Sequence, residues 1–425
     1  MMIKSYRKAL QITVAATALL GAASAAQAGG FALREQSAAG QGMSFAGVGA
    51  GAGGLSSMFW NPAAVTQTPG WNSEWVATGI LPYASINPTL PNVTPLVGSQ
   101  VGEAAFLASG YTNYQINDRW YLGLSTGAPF GLSTRSSEIW GAQAYGTTSK
   151  VFSFNVNPVV GWKVNDWLAI AVGPQIQYFE VRLRGSTAAF GPGGSNILAG
   201  NNIGAGVTAG IMLTPWQGTR IGLGYRSAIS HALEGGLQPG APFVIPIRTK
   251  VTLPEIVTLG VSQDYGPWTA NLGLEWTNWS RLKTSDVFAL NGAIIPAAKQ
   301  NYMWRDGWFL SGGIEYRYSP QWTFRGGVAY EWSPVTTAVR SVRLPDTNRI
   351  WASLGFSYKY SERLSFDVGY THIFGTPDNI FLGPGNPSFI APLLFTANTR
   401  AHVDILSVGV KYRWDTPAAA VVAKY

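Results

Sequence analysis

The chain has 425 residues, no cysteine and few charges. Without cysteine it can form neither a disulfide nor a thiolate metal site. Charged residues make up 12% of it, about half the ~25% usual in soluble domains. Its three histidines, His231, His372 and His402, are widely spaced and suggest no metal site. The formal charge is +8, but the basic residues are dispersed, so no stripe points to nucleic acid. After residue 28, no apolar run reaches the ~17–25 residues that a membrane-spanning helix needs.

Apolar and aromatic residues are plentiful. Hydrophobic residues make up 46%, with 17 Trp, 18 Tyr, 19 Phe and 51 Gly. The first 28 residues read as an export signal. Lys4, Arg7 and Lys8 precede an uncharged stretch from Ala9 to Leu20, and Ala26-Gln27-Ala28 fits the cleavage pattern. In hydrocarbon only helices and closed barrels satisfy every backbone group. An exported, aromatic-rich chain without spanning helices therefore predicts an outer-membrane β-barrel.

Period-two alternation supports this. Over 308–318, Leu310, Ile314 and Tyr316 share one face and Ser311, Glu315 and Arg317 the other. Fourteen such segments run from about 71 to 414, with tight turns alternating with long connections. The predicted fold class is all-β, a 14-stranded antiparallel transmembrane β-barrel plugged by an N-terminal hatch. The predicted division is a signal at 1–28, a hatch at 29–69, a barrel at 70–414 and a periplasmic tail at 415–425. Residues 29–69 are rich in Gly, Ala and Ser, and Phe31, Leu33, Phe45, Phe59 and Trp60 give them packing groups. Charges predicted to face the lumen, among them Glu275, Glu315, Arg325, Glu331, Asp367 and Lys411, are of both signs. A general ion pore would more often show a ring of one sign.

Several stretches together resemble the long-chain fatty acid transporter (FadL) family. Gly30-Phe31 with Leu33, Glu35 and Ser37 is similar to its mature N-terminus, and Asn61-Pro62-Ala63 to its hatch signature. Ala128-Pro129-Phe130-Gly131-Leu132, Asn155-Val156-Asn157-Pro158, Trp276-Thr277-Asn278-Trp279-Ser280 and Leu344-Pro345-Asp346 with Arg349 continue the pattern in order. The resemblance implies a passive transporter in the outer membrane of a Gram-negative bacterium, with no cofactor and no catalysis. Its cargo would be a hydrophobic small molecule, most of all a long-chain fatty acid. It would be captured outside and released sideways through a kink in the third strand. Outer-membrane lipid, lipopolysaccharide and the barrel assembly machinery are the implied partners, and a monomer the implied state. The alternatives are an aromatic hydrocarbon channel of the same fold, a general porin, or an adhesin or phage receptor.

The kink also has a basis in the residues. Gly127, Ala128, Pro129, Phe130 and Gly131 interrupt a strand pattern; Pro donates no ladder bond and Gly marks bends. Three connections are unusually apolar and predict capture loops: 235–247 with Leu237, Phe243, Val244 and Ile245, 285–305 with Phe288 and Ile294, and 376–398 with Phe389, Leu393 and Phe395. Arg182 and Arg184 on the fifth strand, and Arg349, are the candidates to meet a carboxylate head group. Two motif matches are declined. The glycine pattern at 49–54 follows no strand, and Gly123-Leu124-Ser125-Thr126-Gly127 lies inside a strand rather than at a strand-to-helix turn.

Overall fold

The computed structural model describes residues 29–89, 97–186, 194–240 and 243–415. The expected export signal, and the expected tail beyond Asp415, lie outside the described residues.

Alternation of small or polar residues inward with apolar residues outward closes the chain into an antiparallel barrel of fourteen strands. They are β1 (Trp71–Pro88), β2 (Ala105–Gln115), β3 (Trp120–Gly127 and Gly131–Arg135), β4 (Thr148–Lys163), β5 (Leu168–Ser186), β6 (Ser195–Leu213) and β7 (Thr219–Arg226 and Ile229–Pro239). There follow β8 (Ile245–Leu253 and Ile256–Tyr265), β9 (Trp268–Thr277), β10 (Gly307–Arg317), β11 (Trp322–Trp332), β12 (Arg349–Lys359), β13 (Leu364–Gly375) and β14 (Phe395–Arg413). Closure is a full ladder between β1 and β14, from Asn72↔Arg413 to Pro88↔Ala397, so neither end strand is left as an edge. On one strand Leu354 is 69% exposed while Trp351, three residues away, is fully buried.

The tight turns are set by side chains. Asn117 Oδ1 accepts from the backbone N–H groups of Arg119 and Trp120, each at 2.9 Å, and Asn165 does the same for Trp167 and Leu168. Aromatic pairs flank this rim, with Trp120 stacked on Trp162 at 5.6 Å and Trp268 on Tyr316 at 4.2 Å. Such girdles mark a membrane interface.

Three boundaries differ from expectation. The connection 235–247, expected as a loop, is mostly a hairpin, paired through Leu237↔Ile245. β6 starts at Ser195, well before the expected 202, and pairs with that hairpin. The expected β7 strand ended at 234, just before Gly235-Gly236, and Gly is depleted in strands. Here a Cβ on Gly235 would lie 2.0 Å from Ala199 O, so the neighbouring backbone needs a glycine. Finally, β9 ends at Thr277, where a 3-10 turn (Trp279–Arg281) begins. Trp279, 1% exposed, is buried in the main apolar core.

Residues 29–69 fill the lumen. They form one helical turn, Ala38–Gln41, and 3-10 turns at Val48–Ala50, Gly54–Phe59 and Pro62–Gln67. Ser37 caps the first by accepting from Gly40 N at 3.0 Å. Asn61 does more: Oδ1 accepts from Ala63 N at 3.0 Å, while Nδ2 donates to Gly49 O at 2.7 Å and to Ile211 O at 3.0 Å on the wall. Pro62, at the first turn, has no N–H to leave unsatisfied.

Candidate functional site

The wall ladder is interrupted between β2 and β3. β2 and β3 pair from Gln115↔Tyr121 only as far as Gly110↔Thr126. Further up they meet again through Gly102↔Thr134 and Arg135 N→Val101 O at 3.0 Å. Between these, residues 105–109 pair with β1 alone among the described residues. The cause is a bulge in β3. Gly127 faces Asn155 and Gly131 faces Phe152, so four steps along β3 match three along β4. The extra length folds inward, and Ser153 Oγ bonds both Phe130 N (2.9 Å) and Phe130 O (2.6 Å).

The N-terminal segment takes up the backbone groups that the kink frees. Leu33 N donates to Pro129 O, and Gly131 N to Phe31 O, each at 2.9 Å. Gly30 has φ +66, and a Cβ there would lie 2.8 Å from the Trp279 ring, so only glycine fits. Gly29 N donates to Glu331 and Gly30 N to Asp346, both at 2.9 Å. Arg34 pairs with Glu275 and, at 3.2 Å, with Glu331. Arg349 pairs with Asp346 and, at 3.6 Å, with Glu331. The start of the hatch is thus held by buried ion pairs to β9 and β11 and by backbone N–H bonds to Glu331 and Asp346, the carboxylates that Arg349 of β12 also pairs with.

Directly beside it lies a cavity of about 640 Å³. Phe31 and Leu132 line it, next to an edge-on aromatic cluster: Phe31 lies 4.7 Å from Trp279, 5.8 Å from Trp304 and 6.0 Å from Phe130. Apolar residues of β5 and β7, such as Phe179 and Leu233, form walls. Tyr302, Arg343 and Phe389 reach it from the long connections.

The expected site residues fall in different places. Leu237 and Phe389 line the cavity. Ile245 packs with Ile247 and Val287. Phe288 bridges to Ile294 in its own connection. Phe243, Val244 and Ile294 are exposed. Leu393 and Phe395 pack instead in a separate core with Trp140. The three apolar connections therefore do not form one capture patch.

The carboxylate candidates need correction. Strand alternation puts Val181 and Leu183 into the cavity, so Arg182 and Arg184 face the other way. Arg184 pairs with Glu138 at 2.8 Å. Arg349 is committed to the hatch network above. The residue that meets the cavity is Arg343, which the sequence reading did not single out. Its Nη1 donates to Arg184 O at 3.0 Å and Thr148 O at 3.2 Å, and the guanidinium has no carboxylate partner among the described residues. Burial pushes it down to about 10, so it keeps its charge at neutral pH. Nearby, burial pushes the Tyr302 phenol up to about 12, leaving it a neutral donor. The other cavity cation, Lys299, pairs with Asp286 at 3.3 Å.

Comparison with known proteins agrees with this architecture. Residues 19–414 match the family described as outer membrane protein transport protein (OMPP1/FadL/TodX). The chain is similar to the long-chain fatty acid transport protein of Salmonella typhi, 25% identical over 391 residues, covering 84% of this chain and 89% of that one. It is also similar to outer membrane protein P1 of Haemophilus influenzae, 23% identical, covering 85% and 89%. Among solved structures, a Pseudomonas aeruginosa FadL homologue superposes with a TM-score of 0.80 at 22% identity, covering 91% and 100%. The Pseudomonas putida toluene transporter TodX does so with 0.66 at 14%, covering 89% and 99%. The chain belongs to the OMPP1/FadL/TodX family of outer-membrane transport proteins, a family of transporters and channels rather than enzymes.

Proposed function

We propose that this protein carries long-chain fatty acids passively across the outer membrane, holding each in the cavity beside Phe31 and releasing it sideways through the gap between β2 and β3. The observation that carries the reading is Arg343, a charged guanidinium without a carboxylate partner among the described residues, beside an otherwise largely apolar cavity. A cation in such surroundings is costly until an anion pairs with it. Size points the same way. An apolar cavity of about 150 Å³ suffices for benzene; about 640 Å³ is roughly four times that. Relatives carry both cargoes, so the family alone does not choose between them.

The position of Phe31, lining the cavity and in edge contact with Phe130 of the kink, supports the route. Phe31 separates the cavity from the kink, so the hatch start must move before cargo can pass. A sideways exit delivers the acyl chain to hydrocarbon without rehydrating it, a saving of about 0.8 kcal/mol per CH₂ kept from water.

The test is binding and uptake of oleate and toluene by the wild type and Arg343→Met. Oleate affinity should fall about 10- to 100-fold, the size of a charge-assisted hydrogen bond, with toluene unaffected. Uptake of toluene but not oleate by the wild type would make the protein an arene channel. Free passage of small sugars would make it a porin.

A further inference from the structure

Gln36 spans the gap in the wall. Its Nε2 donates to Ala128 O at 2.8 Å on the β3 edge. Its Oε1 accepts from Ser109 Oγ at 2.7 Å on the β2 edge. Only this orientation of the amide works, because the flipped one would set Oε1 against Ala128 O, two acceptors with no proton between them. The backbone carbonyl of Gln36 also accepts from Tyr111 OH at 2.8 Å, fixing the residue to β2. The side chain is fully buried. Gly127 makes room for it: a Cβ there would lie 2.5 Å from Gln36 Oε1.

β6 and β7 are likewise unpaired between Asn201↔Glu234 and Thr208↔Arg226, but Ser227 N still donates to Val207 O at 2.9 Å there; the β2–β3 opening has no such backbone bond between Gly110 and Gly102 among the described residues. Across this opening the join is made by one side chain, with a second tie higher up where Glu103 meets Ser133 and Arg135. The higher tie is partly exposed; the Gln36 tie is not.

We propose that Gln36 is the latch of the wall gap: its carboxamide bonds both edges at once, and the opening widens only when those two bonds are released. The proposal rests on the sideways route above. Gln36 lies five residues along the same extended segment from Phe31, beside the cavity, so a displaced Phe31 pulls on it directly. Gln36 is a positioning residue and need not touch cargo.

Hydrogen exchange on the full-length protein in lipid nanodiscs tests it. The reporters are Leu33 N–H and Gly131 N–H, which close the hatch-to-kink ladder. In Gln36→Ala without cargo, their exchange should rise about 10- to 100-fold, the factor that two ordinary hydrogen bonds amount to. Protection at Met43, Asn61 and Ala64, deeper in the hatch, should stay as in wild type. Gln36→Glu gives a sharper readout. A neutral carboxyl has the same donor and acceptor as the amide, whereas a carboxylate cannot donate to Ala128 O. Relative to wild type at the same pH, this variant should be protected in acid and unprotected in base. Unchanged exchange in Gln36→Ala, loss of protection throughout 29–69, or no pH dependence in Gln36→Glu would each overturn the latch. Uptake separates the two ideas: a variant that opens the segment but leaves oleate uptake unchanged would keep the latch and refute the sideways route.

Discussion

The hatch rests on wall glycines, and this makes its seating easy to break selectively. Ideal Cβ atoms on Gly222 and Gly224 of β7 would each stand 1.9 Å from a hatch carbonyl oxygen, that of Gly49 and that of Trp60. Ordinary contact starts at 3.4 Å, so each alanine demands a shift of 3.4 − 1.9 = 1.5 Å. The obstructing atoms are backbone, so no rotamer change relieves the clash. Overpacking of this kind costs about 1–3 kcal/mol per site, or more. The barrel gives no reason to yield first. Gly222 and Gly224 are laddered on both sides, to Met212 and Gly210 and to Gly260 and Thr258. Alanine also suits a strand better than glycine, by roughly 0.5–1 kcal/mol. Gly222→Ala/Gly224→Ala should therefore lift the hatch and leave the barrel folded. Planar-bilayer recording should show ion conductance absent in wild type, and chymotrypsin should cut at Phe45, Phe59 or Trp60. Gly312→Ala/Gly326→Ala is the control, since the nearest atoms there are outer side chains at 3.7 and 3.6 Å. It should behave as wild type. Closed channels and an intact hatch in the β7 double variant would refute the reasoning.

Three further outcomes follow from the same contacts. Arg34→Met strands Glu275 in a buried site and leaves Glu331 only Arg349; breaking such a pair costs about 3–5 kcal/mol, and should appear as faster hydrogen exchange confined to the first residues of the hatch. Asn61→Ala removes three hydrogen bonds at once, one of them the helical cap, so exchange over 63–67 should rise at least tenfold, about one hydrogen bond's worth. Methyl oleate, which lacks the anionic head, should bind wild type and Arg343→Met with equal affinity in equilibrium dialysis; a loss in the variant would mean that Arg343 acts by packing and not by charge.

Most of the barrel was legible because its signal is local. Alternation and turn residues such as Asn117, Asn165, Ser319 and Ser361 act within a few positions of themselves, so strand order and the short rim could be read directly. Where strands rise beyond the membrane, local preference misleads: Gly235-Gly236 reads as a loop, yet Ala199 from another strand makes glycine necessary there. The kink was visible as Gly127, Pro129 and Gly131, but not the fact that Leu33 and Phe31 serve as its replacement partners.

The binding residues were harder to read for a physical reason. What distinguishes a ligand-binding arginine from a structural one is a missing partner, and absence of a partner is a property of the folded chain. Arg182 and Arg184 had the right charge on the right strand, but period two turns them away from Val181 and Leu183, which line the cavity. One residue of register decides the matter. Arg349 sits beside Asp346 in sequence, and that proximity survives as an ion pair that occupies it. Arg343 has no acidic neighbour until Asp346, whose carboxylate is already engaged by Gly30, Ser333 and Arg349. With Asp346 so engaged, Arg343 has no anion among the described residues. On the proposed function, the ion pairs that hold the plug and the charge set to meet cargo are two consequences of one allocation of carboxylates. If that is right, Asp346→Asn should loosen the hatch start without weakening oleate binding at Arg343, and a parallel loss of both would show that the two sites are not separate.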